Sequence, residues 1–239
     1  MNLFSDLLDL FFPKLVCLLC GQAAKINFGG LCEQCYAGLP KIGGEKCAIC
    51  GRPLLGNRCF SCGEEEYFFK LNRSWGLYKG KLKEGIYKFK YGNKPELGRV
   101  FANLMVQTLL EEKQYGALDL ILGVPLHSSK LKERGYNQAD LLANFLAKQL
   151  NLDFAPNVLV RTRNTLSQSR LNKKERERNL VNAFVVNKKN FVSKRVILLI
   201  DDVFTTGATV NACAQTLLQA GSKEVFVLTL AAGELSKND

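Results

Sequence analysis

The spacing of apolar positions divides the chain into a cysteine-punctuated N-terminal part and a longer stretch where apolar strands alternate with helical periodicity. Residues 71–79, with Trp75, Leu77 and Tyr78, predict a strand. Residues 80–90 and 95–113 predict two helices, separated by Gly92, Asn93, Lys94 and Pro95. The run 118–125 predicts a buried strand leading into a loop, followed by a helix over about 137–150. A short strand at 158–160 leads into a long basic segment, and a strand at 183–186 follows it. Residues 195–200, wholly apolar after Arg195, predict a strand, 208–220 a helix, and 224–230 a last strand. Over residues 67–239 this alternation predicts an α/β fold, a parallel sheet flanked by helices with its ligand site at the carboxyl ends of the strands.

At the N-terminus, residues 3–12 predict a short amphipathic helix, with Leu3, Leu7, Leu8 and Phe11 opposite Ser5, Asp6 and Asp9. Packing on its own protein is the simple account, and docking on a membrane or partner is the other. No run reaches the roughly 18 apolar residues of a membrane span. Asp6, Asp9, Pro13 and Lys14 interrupt the longest one, and the basic start of a secretory signal is missing. The expected location is the cytoplasm.

Eight of the nine cysteines form four CxxC pairs: Cys17/Cys20, Cys32/Cys35, Cys47/Cys50 and Cys59/Cys62. A CxxC turn presents two thiolates to one tetrahedral ion, so two turns close a site with no position left for water. Gaps of eleven and eight residues suit pairing the first turn with the second and the third with the fourth. An interleaved pairing is the competitor. The expectation for residues 1–66 is a zinc-ribbon-like module with two structural Zn2+ sites that supply its folding energy. A redox role is disfavoured by four pairs in a row. Gly21, Gly51 and Gly63 follow three of the turns and would leave room for amides near sulfur; Cys213 reads as a small core residue.

The formal net charge is +11, and its placement matters more than its size. Residues 155–195 hold eleven Lys or Arg against Glu175 and Glu177, and residues 67–95 hold eight against Glu84. Two such clusters imply an anionic partner, a polyphosphate ligand or nucleic acid.

The densest chemistry lies in residues 196–209, where an apolar strand ends in Asp201 and Asp202 and a loop with Thr205, Thr206, Gly207, Ala208 and Thr209 opens a helix. A helix start offers unpaired N–H groups and the positive end of a dipole, glycine lets the backbone wrap an anion, and threonines add hydroxyls. The acids can accept hydrogen bonds from a sugar. The plain alternative is a capped helix after a strand, which does not call for two acids, three threonines and a glycine in this order. A second strand end carries Pro125, Leu126, His127, Ser128, Ser129 and Lys130, with Arg134 beyond, and could hold a second anion. The basic segment 161–180 reads as either a surface loop or a lid over a polyanion, with Arg163, Thr165, Gln168, Arg176 and Arg178 as candidate contacts.

The run at 196–209 resembles the PRPP-binding signature of type I phosphoribosyltransferases. That resemblance implies that Asp201 and Asp202, the candidate catalytic pair, contact the ribose, that residues 205–209 hold the 5-phosphate, and that the 125–134 loop holds pyrophosphate. Taken with the four CxxC pairs, the opening Leu-Leu-Asp-Leu-Phe-Phe-Pro at 7–13, Arg-Gly-Tyr-Asn-Gln at 134–138 and the Arg163/Thr165/Gln168/Leu171 and Arg176/Asn179 positions, nearly the whole chain resembles the ComF family. This implies a predicted phosphoribosyltransferase using PRPP with Mg2+, linked to competence and to incoming single-stranded DNA. Three roles follow as expectations: an enzyme, a non-catalytic PRPP- or DNA-binding protein, or a zinc-ribbon adaptor for helicase or uptake proteins. For DNA, tyrosines interleave with lysines at 78–79 and 87–91. A helix burying Ile86 and Phe89 explains that pattern equally.

Overall fold

The computed structural model describes residues 15–27, 29–54, 56, 59, 62, 67–163, 180 and 182–233. The expected helix at 3–12, Gly63 and the segment 164–179 lie outside them. In chain order the elements are β1 (Ile26–Asn27), β2 (Leu31–Cys32), α1 (Glu33–Ala37), β3 (Asn72–Leu77), α2 (Gly80–Tyr91), α3 (Leu97–Glu111) and β4 (Leu120–Gly123). Then come α4 (Ser128–Arg134), α5 (Gln138–Leu150), β5 (Asp153–Phe154), β6 (Leu159–Arg161), β7 (Phe184–Val186), β8 (Val196–Phe204), α6 (Ala208–Gln219) and β9 (Glu224–Ala232).

Five strands form one sheet in the order β3-β9-β8-β4-β5, with every neighbouring pair parallel. Parallel strands buried on both faces read as continuous apolar runs, yet their side chains still alternate. Ile121, Leu198, Ile200, Phe226, Leu228 and Leu230 point into a core with α2, α3 and α5. Leu120, Leu122, Ile197, Leu199, Val225 and Val227 point into a second core with α6, where Cys213 is fully buried. β6 and β7 pair antiparallel, apart from this sheet.

The cysteine segment joins both cores. Cys17, Leu19, Cys32 and Cys35 belong to the first core, and Cys47, Cys50 and Cys62 to the second. The chain between the two groups and the first turn of the second group run along the outer edge of β3: Ile42 N donates to Trp75 O at 3.0 Å and Leu77 N to Pro40 O at 2.8 Å, and Asn72 N donates to Ile49 O, within the Cys47–Cys50 turn, at 2.6 Å. A free sheet edge is thereby closed by the chain itself. Gly76 is required there, because a Cβ would sit 2.8 Å from Pro40 O.

Two expectations need correction. β8 does not stop before the acids; it pairs with β9 through Asp201↔Thr229 to Phe204↔Ala232, because β9 is equally long. The stretch after Leu126 is not all loop, since residues 128–134 form α4. Its Lys, Leu, Glu and Arg favour helix, but no residue of α4 is buried, so no apolar period announced it.

Stripping both zinc ions with a chelator under reducing conditions should weaken the sheet itself. The expected effect is a fall of roughly 10 °C in the unfolding midpoint, the shift that about 3–4 kcal/mol produces in a domain of this size. It is read from the fluorescence of Trp75, the one tryptophan, buried on the edge strand. An unchanged midpoint would show that the cysteine segment contributes nothing to the sheet.

Candidate functional site

The four CxxC turns gather in sequential pairs. Cys17, Cys20, Cys32 and Cys35 form one group and Cys47, Cys50, Cys59 and Cys62 the other, with the sulfurs of each group within 4.8 Å of one another. Tetrahedral zinc with bonds of about 2.3 Å requires sulfurs about 3.8 Å apart. The Cys20–Cys32, Cys47–Cys62 and Cys50–Cys59 separations are 4.0, 3.5 and 3.6 Å, so the donor sets fit structural zinc. Gly21 and Gly51, after the first and third turns, serve the backbone more than the sulfur. Gly21 and Gly51 have φ of +75° and +70°, and their N–H groups close the turns onto Cys17 O and Cys47 O.

The carboxyl ends of β4 and β8 open into a cavity of about 340 Å3. On the β8 side it is lined by Asp201, Asp202, Val203, Thr205 and Thr209, and a small recess beside it is lined by Thr205, Gly207 and Thr209. Gly207 precedes α6 with φ +84°, and a Cβ there would meet the Phe204 ring at 2.7 Å. Only glycine therefore fits the loop without strain. Thr206 Oγ1 accepts from Ala208 N at 3.4 Å, which occupies one amide of the first turn.

The opposite wall comes from the segment after β4. Pro125, Leu126, Lys130 and Arg134 line the cavity. Ser128 and Ser129 lie in the first turn of α4 and, with His127, are off the lining; His127 caps the helix, its Nδ1 accepting from Ser129 N at 3.3 Å. That is the ordinary structural role of a loop histidine. Arg163 is also off the lining, and Thr165, Gln168, Arg176 and Arg178 lie outside the described residues.

Each residue of the Arg-Gly-Tyr-Asn-Gln run has a distinct task here. Arg134 lies over the Tyr91 ring, donates to Tyr91 Oη at 3.0 Å and, through Nη1, donates to Gln138 Oε1 at 2.9 Å. Gly135 ends α4 in the left-handed region. The Tyr136 hydroxyl donates to Phe89 O and ties the run to α2. Asn137 caps α5 through Ala139 N and donates to Val124 O at 3.1 Å. Gln138 is 2% exposed, and among the described residues its Nε2 and Arg134 Nε have no hydrogen-bond partner. Buried donors left open in a cavity wall are a feature that a ligand oxygen would satisfy.

Sequence reading leaves several wall residues out of this site: it takes Tyr78, Lys90 and Tyr91 only with the tyrosine–lysine pattern, Asn137 and Gln138 only with the 134–138 run, and Arg161 only with the basic segment 161–180. Lys90 is the most consequential, since its Nζ lies 2.7 Å from Asp202 Oδ1. It sat in the apolar-lysine alternation of α2, and no local signal separates it from Lys88. Burial pushes the Asp201 carboxyl up to about 7, the Asp202 charge adds to this, and Lys90 opposes it. Burial disfavours the Lys90 charge, but the Asp202 carboxylate outweighs it and holds Lys90 above its ordinary value. Burial, with Arg161 and Arg134 nearby, depresses the Lys130 ammonium. Lys90, Lys130, Arg134 and Arg161 thus face Asp201 and Asp202, a positive surplus suited to an anion.

No helix among the described residues is long and apolar enough to cross a membrane. Residues 7–65 match the double zinc ribbon domain. Among solved structures, APRTase from Giardia lamblia is similar at 14% identity and a TM-score of 0.41, covering 61% of this chain and 85% of that one. That likeness is too distant to carry function across. DNA utilization protein YhgH of Escherichia coli K12 is 30% identical over 220 residues, 90% of this chain and 96% of its own. Competence protein F of Haemophilus influenzae is 33% identical over 222 residues, again 90% and 96%. With that identity along nearly the full length of both chains, and with its double zinc ribbon, the chain belongs to the ComF family.

Proposed function

We propose that this protein binds 5-phosphoribosyl 1-pyrophosphate, or a closely related phosphosugar, and acts as a phosphoribosyltransferase in the handling of DNA taken up by the cell. The observation that carries this reading is the juxtaposition across one cavity of an acidic pair with a Thr/Gly helix start on one side and Lys130 and Arg134 on the other. The 5-phosphate would sit against residues 205–209, the ribose hydroxyls would donate to Asp201 and Asp202, and pyrophosphate would meet Lys130, Arg134 and Gln138. In the transfer, the bond from ribose C1 to pyrophosphate breaks and its electron pair leaves with pyrophosphate. The acceptor's lone pair forms the new bond to C1, and its proton passes to solvent or to pyrophosphate. The cations and amides stabilise charge as it develops on the leaving group.

Two carboxylates, one of them already paired with Lys90, do not make a cation site of their own. Mg2+ belongs to this reading only as the ion that the pyrophosphate carries, and no step is assigned to it. The DNA context rests on what the names of the relatives say of those proteins. The cytoplasm is the compartment that suits eight reduced cysteines.

Direct binding of single-stranded DNA is a second reading with its own support. Tyr87 and Tyr91 are 62% and 56% exposed along α2, with rings 5.1 Å apart and Lys83 and Lys94 on neighbouring positions; Tyr91 also reaches the cavity rim, where Arg134 lies over its ring. Exposed aromatics among lysines suit base stacking beside phosphate neutralisation.

Three outcomes are expected. The zinc-loaded protein with Mg2+-PRPP and a panel of amines and bases should release pyrophosphate, and D201N/D202N should lower this at least about 100-fold, the scale on which such electrostatic contacts act; equal release by both proteins would remove the acids from the reaction. Oligo-dT binding by fluorescence anisotropy should weaken steeply with salt, with a log–log slope near −0.7 per neutralised phosphate; a flat salt response would exclude the basic surface. Ribose 5-phosphate should bind more tightly as pH rises through about 7, where Asp201 ionises and becomes an acceptor for hydroxyls. Because the ligand's own phosphate titrates near pH ~6, the decisive comparison is with Lys90→Met, which removes the charge opposing burial and should move the profile to higher pH. Superimposable profiles would show that Lys90 does not govern Asp201.

A further inference from the structure

Arg52 belongs to the second cysteine group by its backbone and to the candidate phosphate loop by its side chain. It follows Cys50 by two residues, and its carbonyl accepts from Cys47 N at 2.8 Å, which closes the metal-binding turn. Its side chain leaves the ribbon for the carboxyl end of the sheet. There Nη2 donates to Thr205 O, Nε donates to Gly233 O at 3.2 Å, and the guanidinium lies 5.1 Å from the centre of the Phe204 ring. The residue is 6% exposed, and among the described residues it makes no ion pair with a carboxylate. A zinc ion held by four thiolates carries a formal charge of about −2, so the metal centre is the natural counter-charge for this buried guanidinium.

The contact with Thr205 has a directional consequence. In a planar trans peptide the carbonyl and the following N–H point to opposite sides, and the chain has no cis bond among its described residues. Holding Thr205 O towards the ribbon therefore turns Thr206 N–H away from it, at the first amide of the loop that leads into α6. The same guanidinium supports the Phe204 ring, against which Gly207 packs. The first cysteine group has no comparable reach among the described residues. It lies in the core on the other face of the sheet, and side chains of α2 bond to its backbone, Lys81 to Gln34 O and Lys88 to Leu19 O.

We propose that Arg52 is the positioning residue through which the second four-cysteine zinc group aims the 205–209 loop, so that phosphosugar binding and zinc retention at Cys47, Cys50, Cys59 and Cys62 stabilise each other. This rests on the reading that the loop takes a sugar phosphate. Coupling between two sites is reciprocal, and a typical coupling changes each affinity roughly 5- to 150-fold.

The test uses the full-length protein loaded with two zinc ions, with ribose 5-phosphate as the probe. Equilibrium competition with a chromophoric zinc chelator is run with and without saturating probe. In the wild type the probe should tighten one zinc per chain by roughly 5-fold or more and leave the other unchanged. Protection from loss of that zinc in C47S, which disables the second group, should be absent. Arg52→Ala should retain the probe-insensitive zinc, lose the coupling, and bind the probe at least about 10-fold more weakly, the lower range of one lost charged contact. Should Arg52→Ala fail to load two zincs, Arg52→Lys decides the matter. It keeps the charge but not the two-pronged geometry, and should load both ions yet lose most of the coupling. If wild type and both loaded variants bind the probe with equal affinity and give identical chelator curves, the inference is overturned while the phosphate reading stands. If the wild type itself does not bind ribose 5-phosphate, the phosphate reading falls and takes this inference with it.

Discussion

Strand β8 is hydrogen-bonded along both edges and packed on both faces, so its residues meet solvent only at its carboxyl end. That constraint orders the rest of the structure. Apolar residues fill the strand as far as Ile200, because polar side chains there would be buried without partners. From Asp201 onward the neighbouring strand β4 has ended, while β9 continues to Ala232. The strand therefore projects past one neighbour, and its acids and the following loop form the floor of the cavity. α6 then leaves with its first turn facing the same opening.

The cavity brings together charges from separate elements: Lys90 from α2, Lys130 and Arg134 from α4, Arg161 from β6, and two carboxylates from β8. Removing charges from water is costly unless each is paired. The Lys90–Asp202 pair meets that requirement for one acid, which leaves Asp201 poised near neutrality and the remaining cations in surplus. Electrostatics of this kind leaves the cavity suited to an anion.

The cysteine module contributes to this arrangement because of where its central segment lies. By running along the outer edge of β3, that segment sends one cysteine group to each face of the sheet. Arg73, 4% exposed, reinforces the join, donating to Ala48 O at 3.0 Å while pairing with Glu112. The metal-binding turns are thus packed against the same cores that position the cavity.

Features governed by short-range rules could be read from the residues alone. The alternation of strand and helix, the break at residues 92–95 and the composition of the 201–209 run follow from backbone periodicity and residue chemistry over a few positions; four CxxC turns announce two four-thiolate sites by stoichiometry, while the choice of sequential over interleaved pairs belongs to the folded chain. The whole of α4 escaped because an exposed helix with no buried face leaves no apolar period. The acids' place inside β8 escaped because the end of a strand depends on its partner's length. Lys90, Arg161, Gln138 and Arg52 acquire their roles only in the folded chain. Arg52 and Thr205, 153 residues apart, meet because β3 lies at one edge of the sheet with the ribbons wrapped around it. Strand order is a property of the packed whole, and no local stretch of sequence carries it.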